Sequence, residues 1–181
     1  QWSDGWNTDF TADVFGYFGC TWFVYWSIND KEGSETYGKR NMCQGPTTYH
    51  WGGTYLGVTD QCPNKELAAL VLYTLCCDTD TMYKLSDETL DFVNNKAAVE
   101  KLIADGKGES PVLGGANPLQ TWADNAEKIN LQYATEYDST FNGYLDNASE
   151  AYNSGELKTV DDAVAKIKEL IKDGYQNLTV E

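Results

Sequence analysis

Residues Gln44–Val58 read QGPTTYHWGGTYLGV, and how this stretch folds decides the architecture. Two aromatics, Tyr49 and Trp51, flank the only histidine, His50, and Gly52–Gly53 follow at once. A glycine pair loses backbone entropy on folding and is useful where a chain bends sharply or comes close to something. An indole ring beside it presents a flat apolar face and one N–H donor, which suits a sugar ring. The segment therefore reads as one wall of a small-molecule site, with Tyr49, His50, Trp51, Gly52 and Gly53 as candidates. The structural alternative places Trp51 in a core, with the glycines as a bulge or turn. Thr54–Thr59 alternates as a strand that ends near Asp60.

Outward from this stretch, composition sets bounds. The 181 residues suffice for one ordinary domain with a core, and aromatics reach 13%. No run of about 18 apolar residues encodes a membrane span. With no initiating Met, no basic-then-apolar leader and no lipoprotein-type cysteine leader, the sequence reads as a mature or truncated product. Acids outnumber bases 28 to 13, for a formal charge of −15, and Arg40 is the single arginine. Such a surface repels polyanions, which argues against nucleic acid and anionic membrane as partners. It fits a secreted or surface-exposed protein.

Cys20, Cys43, Cys62, Cys76 and Cys77 form no C-x-x-C pair, and one histidine adds little, so no metal site and no cofactor are expected. Reduced, largely buried thiols are the favoured state, with one disulfide among Cys20, Cys43 and Cys62 left open. Free thiols in an extracellular protein would point to an anaerobic source.

Along the chain, Val14–Ile28 (VFGYFGCTWFVYWSI) reads as strand, glycine-bearing turn, then strand or short helix, and Lys39–Cys43 as a short strand. Asn64–Cys77 (NKELAALVLYTLCC), with Pro63 just ahead, predicts a helix whose apolar face is Leu67, Leu70, Val71 and Leu75. Further helices are expected over Ser86–Val93, Lys96–Ala104, Leu119–Ile129 and Tyr137–Asn153. A last one follows over Val160–Lys172, opened by a capping-box-like Thr159…Asp162 and closed by Gly174. More than half of the aromatics lie before residue 61, together with the expected strands. Helices so outnumber strands that a partner sheet is missing.

In order, GYFGCTWF, GPTTYHWGGTYLGV, PNKELAALVLYTL and TVDDAVAKIKELI resemble the C-terminal part of the extracellular sugar-binding proteins of ABC importers, the maltose-binding-like group. The likeness runs from about Val14 to Tyr175. It implies an α/β, periplasmic-binding-protein-like type II, two-lobed fold, of which only the helix-rich C-terminal part is present. Residues 1–58 would belong to the C-terminal lobe, 59–130 to the other lobe, and 131–181 would return to the first. It also implies a sugar or oligosaccharide ligand stacked on aromatics, an ABC permease as membrane partner, and a cell-surface lipoprotein, here of a Gram-positive anaerobe. By resemblance Trp22 is a stacking aromatic, Trp51 with Gly52 and Gly53 the W-G-G cleft segment, and Gly57–Asp60 near a hinge. Tyr137 and Phe141 match the last cleft-facing aromatics only loosely. The family's mature proteins are about twice this length, so a missing N-terminal portion or a second chain would complete the cleft.

Sugar recognition needs aromatic planes and polar groups for the hydroxyls. Trp22 and Trp51 supply planes, and Gln44, Tyr49, His50 and Asp138 are plausible hydroxyl partners. Trp22 is equally readable as part of a buried strand, and Trp26 and Trp122 read as core. No G-x-S-x-G context surrounds any serine, so no catalytic residue is assigned. Two alternatives remain: a glycoside hydrolase fragment using paired carboxylates, and a non-catalytic surface module whose aromatics grip a protein.

Overall fold

The computed structural model describes residues 16–28 and 32–180. Within them the chain is 49% helix with no strand and no sheet. The α/β expectation, and the two-lobed architecture that went with it, is thereby overturned. The physical reason lies in where hydrogen bonds come from. A helix closes its bonds within one segment, whereas a strand needs a neighbour, and Thr54–Thr59 and Lys39–Cys43 find none. Both run as extended or irregular chain.

Two compact units divide the chain between Ile129 and Asn130. The first carries four helices among its described residues: α1 (Lys65–Cys76), α2 (Thr79–Thr89), α3 (Lys96–Ala104) and α4 (Leu119–Ala126). Each of the first three starts where a short polar side chain caps free N–H groups. Asn64 Oδ1 accepts from the Leu67 N–H at 3.0 Å, and Asn95 Oδ1 from the Ala98 N–H at 2.9 Å. Asp78 Oδ2 accepts from both the N–H and the hydroxyl of Thr81, at 2.8 and 2.7 Å. The Asn95 amide also donates to the Cys77 carbonyl at 2.8 Å, tying the α1–α2 junction to the start of α3.

The expected helix over Ser86–Val93 is corrected: α2 begins seven residues earlier, at Thr79, and ends at Thr89, capped by Leu90, whose φ of 60° is left-handed. Ser86 sits buried inside α2, because its hydroxyl reaches the Asp91 carbonyl at 2.6 Å. That bond removes the cost of hiding a hydroxyl in a core position.

α3 lies at the centre of the core. Leu102 packs with Val24, Leu113, Leu119 and Trp122, while Ala98 and Val99 pack with Met82 and Val93. Phe92 meets the Trp122 ring edge-on at 5.9 Å. Trp122 is 7% exposed, in keeping with its core reading, but Trp26 is 69% exposed and the core reading fails there. Trp26 falls in a short π-helical turn, Val24–Ile28, that buries Val24 and turns the indole outward.

A 3-10 turn at Pro111–Leu113 ends on Gly114, φ 65°, whose backbone touches Gly38. A Cβ at Gly114 would stand 2.6 Å from the Gly38 carbonyl oxygen. Gly114→Ala is expected to lower stability by about 1–3 kcal/mol in urea denaturation, combining a left-handed strain with a backbone clash. Gly115→Ala serves as comparison, because it shares a positive φ with nothing within 4 Å. An equal loss for both variants would remove the contact from the explanation.

The second unit is a hairpin of α5 (Asp138–Asn153) and α6 (Val160–Gly174). Thr159 and Asp162 form the expected reciprocal capping box: the Thr159 hydroxyl accepts from the Asp162 N–H at 3.1 Å, and Asp162 Oδ2 from the Thr159 N–H at 2.9 Å. Gly174 is the last residue of α6, and a Cβ there would stand 2.8 Å from the Tyr144 hydroxyl. The bond from Thr159 holds the Asp162 carboxyl below its ordinary range, as Thr81 does for Asp78. A depressed folded value means the cap stabilises above the ordinary carboxylate range and is lost as pH falls through the lowered value. The helicity difference between the parent and Asp162→Ala, followed by circular dichroism, is therefore expected at neutral pH and should vanish in strong acid. A difference that persists unchanged into acid would exclude the ionised cap as its source.

Candidate functional site

Of the residues singled out in the sequence, Trp22, Tyr49, His50, Trp51, Gly52 and Gly53 belong to the first unit, and Tyr137 and Asp138 to the second. The first group lies on chain without regular structure, next to the core rather than in it. Trp51 is 50% exposed and Tyr49 44%, with their rings edge to face at 6.5 Å and 67°. His50 and Gln44 are exposed, and Trp22 is half-buried beside the fully buried Phe23. Of the two glycines only Gly52 needs to be one, since its φ of 150° is costly for any side chain; Gly53 has no such constraint.

What holds this segment in place was not readable from sequence. The Thr48 hydroxyl donates to the Lys128 carbonyl at 3.3 Å, across 80 residues, pinning the base of the aromatic pair to the end of the unit. Burial raises the Tyr49 phenol above its ordinary value, and the charge of the Cys20 thiolate adds to the rise. Burial likewise raises the Cys20 thiol. All five cysteines are free thiols, and Cys43 and Cys77 are exposed rather than buried.

The second unit uses its two candidates for its own structure. Tyr137 stacks on Phe141 at 5.9 Å and meets Tyr175 edge-on at 4.9 Å. Asp138 Oδ1 accepts from the N–H and hydroxyl of Thr135 at 3.1 and 2.8 Å. Both roles fasten the entry and exit of the hairpin. Open surface hollows on α6 are lined by Ala165, Lys168, Glu169, Lys172 and Asp173, a charged set with no aromatic plane.

Among the described residues no group of three His, Cys, Asp or Glu side chains is placed to hold a metal ion, and no helix is long and apolar enough to cross a membrane. The arrangement at Tyr49–Gly53 offers chemistry of one kind: two partly open aromatic faces, an imidazole between them, and exposed backbone polar groups. No family model matches the chain, and neither the curated proteins nor the solved structures contain a match.

Proposed function

We propose that the chain is a non-enzymatic carbohydrate-capture protein that delivers a sugar or oligosaccharide to the membrane permease of an ABC importer. The observation that carries this reading is the half-exposed Tyr49–Trp51 pair on chain without regular structure, followed by Gly52 at a positive φ of 150°. A sugar's C–H face covers an indole and loses water there, while its hydroxyls meet the phenol, the imidazole and the backbone. Trp22, half-buried, is the further aromatic assigned to stacking. The excess of acids favours solubility and fits a secreted or surface-exposed protein. A second polypeptide portion would supply the opposite wall of the site.

Thermal shift with a panel of oligosaccharides tests the reading, because a ligand that binds only the folded chain raises the melting temperature in proportion to its concentration. A rise with at least one sugar is expected, and no release of product from chromogenic glycosides. Turnover of a glycoside would replace capture by hydrolysis. Absence of any shift, with tight association to another polypeptide, would favour the interaction-module reading. One observation already leans that way: α1 is apolar over most of Leu67–Cys76 and has no buried residue.

A further inference from the structure

Residues 52–77 combine two features that a finished protein rarely leaves open. The first is Gly52–Val58, which has no regular structure, is exposed and makes no hydrogen bond. Its unpaired N–H and C=O groups are open to pairing as those of a strand edge are, and natural edges are usually blunted by charge or proline. From Gly52 to Thr59 there is neither. Tyr55 alone is 91% exposed.

The second is α1. Leu67, Leu70, Val71, Tyr73 and Leu75 are each about half exposed, and together they cover most of the helix circumference. Even the Thr74 hydroxyl is turned back onto the Leu70 carbonyl at 2.9 Å. A helix apolar on nearly all sides is one that ends up covered. Its 12 residues are too few to span a bilayer.

We propose that these two elements form one docking surface for a partner polypeptide that presents an open β-sheet edge. Residues 53–59 add to that edge as a strand, and α1 lies across the apolar face of the same sheet. The dimensions agree. Thr54–Thr59 extended spans about 20 Å, and α1 is about 18 Å long. The five residues between them are a usual length for a strand-to-helix connection. The exposed apolar side chains of both elements amount to on the order of 800 Å², about what one side of a stable interface contributes.

Charge separates the occupants. A second copy would bring another −15, whereas residues 53–59 are uncharged, Asp60 beyond them is paired with Lys65 at 2.9 Å, and Glu66 and Asp80 stand exposed. A neutral sheet edge with basic residues at its rim fits better than self-association. The inference does not rest on sugar capture, because it concerns chain beyond the aromatic pair.

The test uses the whole chain, isotope-labelled, and a blocked synthetic peptide of alternating Val and Thr with a Lys at each end, added to millimolar concentration. Amide exchange by NMR is expected to show protection at every second residue between 53 and 59, since only alternate N–H groups face one neighbour. The methyl signals of Leu67, Leu70 and Val71 should shift with it, and sedimentation should find no dimer of the chain. Of Tyr55→Pro and Leu56→Pro, one should abolish the protection and the other should spare most of it, because only one of the two N–H groups points at the peptide. Leu70→Lys should weaken binding by tenfold or more. All three replaced side chains are exposed, and circular dichroism checks that the fold persists. No protection, protection of consecutive residues, or protection without peptide in step with dimerisation would each overturn the proposal, the last in favour of a second copy.

Discussion

Trp122→Ala is expected to destabilise the first unit by about 3–5 kcal/mol, most of the stability of a small domain. Trp122 is 7% exposed, packs with Leu102, Leu113 and Leu119, and takes the edge of the Phe92 ring. Removing the indole deletes its transfer free energy and leaves a cavity between α3 and α4 that neighbours on fixed helices fill only in part. Urea denaturation monitored by circular dichroism measures it. Trp26→Ala is the matched comparison: the same side chain is lost at a position 69% exposed, so the change should stay within about 0.5 kcal/mol. Similar losses in both variants would show that exposure does not decide which tryptophan holds the unit together.

Trp51→Ala has the opposite profile. It should reduce sugar affinity by about 1–3 kcal/mol, roughly fivefold to 150-fold, since one large aromatic face is no longer there to be covered. The melting temperature of the free protein should move little, because half of the indole already faces water. Titration calorimetry with the sugar that gives the largest thermal shift, alongside the melt of the unliganded variant, separates the two quantities. A large loss of unliganded stability would place Trp51 among the structural residues. Unchanged affinity would remove it from the site.

How much of this was legible in the sequence follows from the range of the forces. The start of α1 at Asn64, all of α3, and the Thr159–Asp162 box of α6 were readable, because a cap and its helix lie within a few residues of each other. The start of α2 was not. Its inward positions include Met82 and Ser86, and a serine breaks the apolar pattern unless its hydroxyl bond to Asp91 is known. Trp26 and Trp122 look alike as letters, and only the outward π-helical turn distinguishes them. Tyr49 and Trp51 stood out in the sequence as a wall or a core, and neither their half exposure nor their tether through Thr48 to Lys128 was legible there.

The sequence by itself determined where α1, α3 and α6 begin and which residues carry charge, since capping, propensity and net charge act over one or two turns or need no geometry at all. The tertiary structure alone decided that Thr54–Thr59 has no strand beside it, that α1 is uncovered, and that Tyr137 and Asp138 serve the α5–α6 hairpin. Alternation marks a segment as able to pair, but a strand is completed by a neighbour, and the neighbour is a property of the whole arrangement.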